Sequence, residues 1–172
     1  MRLRVGMNHE WKRPAPGLEA LNLLVGKWHT EGQQYAGPFG PASPFVAVET
    51  FEWLDGGHFL IHRLEGKFGR NASACVEIFG KDAQGLFAQT FYNDGNANTW
   101  RVTGIESGVV LTGSWSKGPT ETFQVRYTAR VIEEGNTIAG TWEHSPDGAG
   151  WQPFLELRST KAQTLPNASV GY

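Results

Sequence analysis

Apolar and polar residues alternate along most of the chain after residue 26, at the two-residue spacing that is typical of β-strands. Turn signals rich in Gly, Pro, Asn and Asp divide this stretch into about ten segments. No segment keeps a helical period, and parallel strands would need crossover helices. The pattern therefore predicts an all-β chain whose antiparallel strands run up and down as a meander barrel. The predicted strands lie near residues 26–36, 45–54, 57–66, 72–81, 86–93, 97–104, 109–116, 120–132, 136–145 and 151–160.

A short apolar segment precedes the first predicted strand. Leu18, Leu21, Leu24 and Val25 follow helical spacing for about two turns, and the segment ends at Gly26. A helix this short is not stable alone, so it needs a surface on which to lie. We expect that surface to be the closed end of the barrel.

The predicted connections alternate between two classes along the chain. Those after strands 2, 4, 6 and 8 are short and contain Gly, which suits tight turns. Those after strands 1, 3, 5 and 9 are longer, at residues 37–44, 67–71, 93–96 and 145–150. In a meander this puts the tight turns at one end. We expect that end to be closed by Trp28 and the helix, and the long loops to frame an open mouth.

The composition agrees with one domain of this kind. The chain has 172 residues, enough for one hydrophobic core. Its 22 Gly, 9 Pro and 7 Trp fit short strands joined by tight turns around large side chains. Because the first residues carry prolines and no periodicity, we expect a tail at 1–17, the barrel domain at 18–162 and a C-terminal tail at 163–172.

Charge and cysteine content bear on partners and compartment. The formal net charge of -2 provides no basic surface for nucleic acid or an anionic membrane. No apolar run is long enough to span a bilayer, and residues 1–13 are not followed by the apolar core of a signal peptide. Cys75 has no second cysteine to bond, in keeping with a reducing compartment. We expect a cytoplasmic protein that binds neither nucleic acid nor membranes.

The connection between strands 2 and 3 indicates which side chains share a face. A two-residue turn within residues 55–57 pairs odd positions of strand 2 with even positions of strand 3. A carboxylate beside an imidazole is the arrangement that a general acid or base uses, and Glu49 and His62 fall together in mid-barrel. A buried structural pair is one alternative, and a change of register that turns both residues to the solvent is another. No nucleophile stands at the spacing of a catalytic triad. The face that we assign inward carries Phe45, Ala47, Glu49, Phe51, Trp53, His58, Leu60, His62 and Leu64.

Aromatic residues gather at the strand ends near the predicted mouth. Aromatic area with a few polar groups is what a small-molecule pocket needs, although some of these rings would only cover the rim. The candidate ligand-binding residues are Tyr35, Glu49, His62, Tyr92, Trp100, Trp115, His144 and Trp151, with Phe39 on the first loop.

Two further candidates are weaker. Arg126 stands on a polar face of strand 8, where it is either an anion anchor inside the cavity or a solvent-exposed residue. We predict no metal site from His29, His58 and His62, because His58 and His62 are four residues apart on a strand, which is about 13 Å.

The Gly26-x-Trp28 motif after a short helix, with basic Arg158 in the last strand, resembles the calycin superfamily. The resemblance implies that Trp28 packs at the closed end against an Arg or Lys of the final strand. Ten strands are more similar to fatty-acid-binding and nitrobindin barrels than to lipocalins. The segments LLVGKWHTEG, VETFEWLDGGHFLIHR and GTWEHSPDGAGW also resemble an uncharacterised bacterial family of calycin-like barrels, over most of residues 20–160.

The resemblance to nitrobindin implies haem as an alternative ligand. The nitrobindin pattern is a glycine at every second position after the Trp, and here Gly32 matches whereas Thr30 and Gln34 do not. His144 is the histidine that would serve as the proximal ligand.

We therefore predict that the barrel binds a small, hydrophobic or amphipathic molecule in its cavity. One alternative is an enzyme in which Glu49 and His62 exchange protons with a hydrophobic substrate. Haem binding is another. A third is a homodimeric module whose exposed aromatic residues contact a partner.

Overall fold

The computed structural model describes residues 13–103, 110–116 and 122–162, with only the backbone for 110–116 and 122. Each strand pairs antiparallel with its neighbour in sequence, and β1 also pairs with β10, so the hydrogen-bonded order closes into a barrel. The predicted all-β antiparallel meander is confirmed. The strands are β1 (Gly26–Gln34), β2 (Ser43–Trp53), β3 (Leu60–Phe68), β4 (Asn71–Asp82), β5 (Gly85–Tyr92), β6 (Ala97–Thr103), β7 (Val110–Ser116), β8 (Thr122–Ile132), β9 (Thr137–Ser145) and β10 (Gln152–Lys161).

Alternating burial in β2 and β3 shows which side chains point into the barrel. The odd positions of β2 from Phe45 to Trp53 are buried, and most even positions are exposed. Phe51 lies opposite His62 in the β2–β3 ladder, so odd positions meet even ones as predicted. His58 is the exception to the predicted face, because it lies in the turn before β3 and is exposed.

The short N-terminal helix is a 3₁₀ helix, Glu19–Leu24, rather than an α-helix. Leu18, Leu21 and Leu24 are all buried, and their three-residue spacing matches the three residues per turn of a 3₁₀ helix. Trp28 is completely buried, and its indole Nε1 donates a 2.7 Å hydrogen bond to the carbonyl oxygen of Leu24. We call Leu18, Leu21, Leu24 and Trp28 the floor of the barrel.

The basic residue over Trp28 is Lys161, not Arg158. The Lys161 ammonium lies 5.0 Å from the centre of the Trp28 ring. Gly26 makes this approach possible, because its φ is +132° and a Cβ there would lie 2.8 Å from Lys161 Cε. Arg158 is on the outer face of β10 and pairs with Glu133 at 2.6 Å.

The connection between β3 and β4 also differs from the sequence prediction. Residues 67–71 were expected to form a long loop, but β3 ends at Phe68 and β4 begins at Asn71, so the turn has only two residues. The backbone N–H of Gly69 donates to the carbonyl of Pro44 at 2.8 Å, which holds the turn against the start of β2. The β3–β4 ladder therefore continues without interruption.

Residues near the predicted domain boundaries have defined contacts. Ala15 donates a 2.9 Å backbone hydrogen bond to Gly57, so the chain from Arg13 to the 3₁₀ helix lies against the β2–β3 turn. Residues 1–12 of the predicted N-terminal tail at 1–17, and the whole predicted C-terminal tail at 163–172, lie outside the described residues. The domain division stays a prediction. In the described ranges, no helix has the length and apolar character needed to cross a bilayer.

Candidate functional site

A cavity of about 700 Å³ occupies the barrel interior next to the floor. This volume lies within the range of small-molecule sites in proteins, about 300–1,000 Å³. The strands supply its wall through their inward-facing positions, which are mostly apolar. Prominent apolar wall residues are Phe45, Phe51, Phe79, Val125, Ile138 and Leu155.

Glu49 and His62 meet on this wall, as the sequence predicted. His62 Nε2 lies 2.7 Å from Glu49 Oε2, and both residues are more than nine-tenths buried. The His62 ring also stacks on Phe51, with 4.0 Å between the ring centres. Thr30 donates its hydroxyl proton to Glu49 Oε1, and Thr30 Oγ1 lies 2.7 Å from Ser159 Oγ.

A second buried carboxylate, Glu77, lies on the other side of the imidazole. It is directly opposite His62 in the β3–β4 ladder, and its Oε2 is 3.7 Å from His62 Nδ1, longer than a hydrogen bond. Thr90 donates to Glu77 Oε1 at 2.9 Å, and Trp100 Nε1 donates to Thr90 Oγ1 at 2.9 Å. These polar groups come from neighbouring strands in succession, from β10 through β1 to β6. We call them the polar belt: Ser159, Thr30, Glu49, His62, Glu77, Thr90 and Trp100.

The belt favours the charged form of His62. Burial alone would lower the pKa of this imidazole, but the hydrogen bond to Glu49 and the negative charges of Glu49 and Glu77 outweigh it and raise the pKa to about 9. Burial likewise opposes ionisation of Glu49, yet the bonds from His62, Thr30 and Ser159 leave its pKa below the usual value. His62 is therefore an imidazolium at neutral pH, which can donate a proton but cannot act as a base.

Two other titratable wall residues stay neutral. Burial raises the pKa of Cys75 to about 12, and the charges of Glu77 and Glu49 add to the effect. Burial also raises the pKa of Tyr92 to about 12. A thiol with such a pKa is a poor nucleophile, since the thiolate is the reactive form.

An aromatic group stands next to the belt on the cavity wall. Tyr127 stacks on Trp142 with 4.8 Å between ring centres, and Trp142 meets Trp100 edge-on at 5.3 Å. Gly140 makes room for the Tyr127 ring, because a Cβ at that position would lie 2.1 Å from the phenol oxygen. Sequence reasoning had not singled out Tyr127 or Trp142 for the cavity.

Four of the predicted ligand-binding residues are on the cavity wall, namely Glu49, His62, Tyr92 and Trp100. The side chain of Trp115 lies outside what the structure describes.

Tyr35 and Trp151 are not on the wall, which corrects their predicted placement. Tyr35 is 38% exposed, and its hydrogen bond with Glu156 raises the pKa of the phenol. Trp151 packs outside the barrel under Arg126, whose guanidinium carbon lies 4.2 Å from the ring centre. Arg126 also pairs with Glu143 at 2.6 Å on the outer face, so it is not an anion anchor inside the cavity.

His144 is on the inward face of β9 but is separated from the cavity by aromatic rings. The rings of Phe39, Phe123 and Phe154 lie 5.3, 5.8 and 5.9 Å from the imidazole. Burial lowers the pKa of His144, and its Nδ1 is buried without a hydrogen-bond partner. Phe39 and Phe154 are on the wall, whereas His144 is not. These residues do not fit haem ligation, because the rings stand between the imidazole and the cavity.

Sequence reasoning missed four of the seven belt residues. Glu77 has the same signature as Glu49, a polar residue between inward apolar neighbours, here Cys75 and Phe79. A two-residue turn at Gly69 and Arg70 would have placed it opposite His62 from the sequence alone. The hydroxyls of Thr30, Thr90 and Ser159 gave no comparable signal, because Thr and Ser are common on both faces of strands.

Comparisons with known proteins agree with this fold. The crystal structure of Rv2717c from M. tuberculosis matches with a TM-score of 0.59 and 16% sequence identity, over 87% of this chain and 99% of that chain. At this identity the similarity shows the fold alone. No curated protein matches the sequence significantly. A family model described as "Protein of unknown function (DUF1579)" matches residues 13–161, which is most of the chain. The chain therefore belongs to the DUF1579 family.

Proposed function

We propose that this protein binds a small, partly apolar molecule inside its barrel. The observation that carries the proposal is the cavity of about 700 Å³ whose wall joins apolar side chains to the buried polar belt. Apolar area provides affinity, and a few fixed polar groups orient the bound molecule. Burying polar and charged groups costs free energy, so their presence on a cavity wall favours a role in binding.

We also propose that the barrel is calycin-like. The support is the floor, where the indole of Trp28 lies beneath Lys161 of the last strand. This is the contact that the resemblance implied, with Lys161 in place of Arg158. A calycin-like barrel is closed at that end, so a ligand would enter from the opposite one.

The enzyme alternative has one observation in its favour. The 2.7 Å contact between Glu49 and His62 has the geometry of an acid–base pair. However, the raised pKa of His62 suits only proton donation, and the Cys75 thiol beside it is held neutral. Binding therefore has the stronger support.

Blocking the cavity tests the binding proposal. Cys75→Trp adds a large ring on the wall, whereas Val76→Trp adds the same ring at the next position, which faces outward and is 38% exposed. We expect wild type and Val76→Trp to bind the neutral fluorescent probe N-phenyl-1-naphthylamine, and Cys75→Trp to bind it at least about tenfold more weakly. If Cys75→Trp and Val76→Trp unfold at the same temperature and bind the probe equally well, the cavity is ruled out as the binding site.

A further inference from the structure

The buried charges of the polar belt do not balance. Glu49, His62 and Glu77 are all more than nine-tenths buried, and two carboxylates with one imidazolium leave a formal charge of −1. Among the described wall residues, the other charged ones are Arg70 and Asp94, which are exposed and of opposite sign. By this formal count, the interior of the cavity carries one excess negative charge.

The excess charge is concentrated on Glu77. Glu49 is the more heavily bonded of the two carboxylates, because it accepts from His62 and Thr30 and is also bonded by Ser159. Glu77 accepts one hydrogen bond of ordinary length, from Thr90, while His62 Nδ1 is 3.7 Å away. A carboxylate offers about four lone-pair positions, so Glu77 has acceptor capacity that the belt does not use.

The surroundings of Glu77 strengthen its preference for a positive charge. Charges interact more strongly in a partly apolar interior than in water, so an anion near this carboxylate would be repelled and a cation attracted. The aromatic side chains of Trp100, Tyr127 and Trp142 are part of the same wall. Aromatic faces are electron-rich and attract cations as well.

We propose that the molecule bound in this cavity is an amphipathic amine, whose ammonium group binds Glu77 and whose apolar part contacts the aromatic wall. This inference rests on the proposed binding function and names the class of ligand. An ammonium donates hydrogen bonds and carries the charge that neutralises the belt. A carboxylate head group would add a second unbalanced negative charge.

Head-group exchange tests the proposal on the wild-type protein. Octylamine, octanol and octanoate share one alkyl chain and differ only in charge, and each is titrated at pH 7 as a competitor of N-phenyl-1-naphthylamine. We expect octylamine to bind about tenfold or more tightly than octanol, with octanoate the weakest. Octanoate binding as tightly as octylamine would overturn the inference. Failure of all three to compete would instead count against cavity binding itself.

Removing one charge shows whether Glu77 is responsible. Glu77→Gln keeps the shape and an oxygen that accepts from Thr90, and we expect octylamine to lose its advantage while octanol affinity is unchanged. Glu65→Gln removes the same charge from an exposed outward position of β3 and should keep the advantage. A Glu77→Gln protein that still prefers octylamine tenfold would overturn the assignment. Should Glu77→Gln fail to fold, the competition by octylamine, octanol and octanoate on the wild-type protein still tests whether the cavity prefers an amine.

Discussion

The floor and the polar belt are adjacent layers of one barrel interior, yet their buried groups differ completely. In the floor, Leu21 and Trp28 are fully buried, and the single polar atom of Trp28 is satisfied by a backbone carbonyl. In the belt, Glu49, His62 and Glu77 are buried with their charges. The layers touch, since Trp28 lies opposite Glu49 in the β1–β2 ladder.

This difference suggests a division of roles, in which the floor stabilises the fold and the belt serves the proposed ligand site. Burying apolar side chains is the main favourable contribution to folding. A buried ion pair is often no more stabilising than apolar residues of similar volume, because both charges lose their hydration. The belt is therefore not expected to stabilise the fold more than an apolar wall would, and we attribute it to the proposed ligand site. Changes in the free energy of unfolding test this division, and we expect the largest change in the floor.

Truncating the floor should have the largest effect on stability. Trp28→Ala removes a fully buried indole, and large-to-small core substitutions of this kind cost about 3–5 kcal/mol. The free energy of unfolding, measured by urea denaturation, should fall by that amount. Trp151→Ala is the matched control, because that indole packs outside the barrel under Arg126, where the loss should be about 1 kcal/mol or less. Equal losses would mean that the floor is not the stabilising layer.

The two layers also differ in how far the sequence reveals them. The floor was predictable, because a Gly-x-Trp motif and three leucines at short spacing mark it directly. The central pair of the belt was predictable, since the short β2–β3 turn fixes the register that joins Glu49 to His62. Glu77 was missed because residues 67–71 were interpreted as a long loop, and register is lost across a long loop.

The last strand shows a second limit. Its register against β9 shifts between Pro153 and Leu155, so alternation cannot be carried from the loop into the strand. The prediction chose Arg158 and ended the strand at residue 160, one residue before Lys161. The ladder shows that Ser159 and Lys161 face in while Arg158 faces out. Sequence alternation assigns faces within a strand, but pairing decides which face is inside.

The belt should make stability depend on pH, whereas the floor should not. His62 has an ordinary pKa of 6.5 and a folded-state pKa of about 9, so its contribution is fully present below pH 6.5 and is lost as the pH rises through about 9. A shift of this size corresponds to stability on the order of 3 kcal/mol. Glu49 acts in the opposite direction, because its lowered pKa removes stability only in acid.

Unfolding free energies measured from pH 6 to 9.5 check this prediction. His62→Gln should flatten most of the decline up to about pH 8.5. Above that pH, Cys75 adds a loss of its own in both proteins, because its thiol ionises in the unfolded chain while its folded-state pKa is about 12. His29→Gln changes an exposed histidine of β1 and should leave the wild-type decline intact. A decline of wild-type size in His62→Gln would show that the imidazole is not held as a cation by the carboxylates.

The smallest effect is expected at the contact between the Lys161 ammonium and the Trp28 ring. A cation over an indole contributes about 0.5–1 kcal/mol at a partly exposed site. A double-mutant cycle of Lys161→Met with Trp28→Leu should show a coupling energy of that size, because Met keeps most of the aliphatic stem without the charge and Leu stays apolar without the aromatic ring. The same cycle with Arg158→Met should be additive within about 0.5 kcal/mol, since Arg158 is outside and paired with Glu133. Stronger coupling of Trp28 to Arg158 than to Lys161 would reverse the inward and outward faces of β10, and with them the position of Ser159 in the belt.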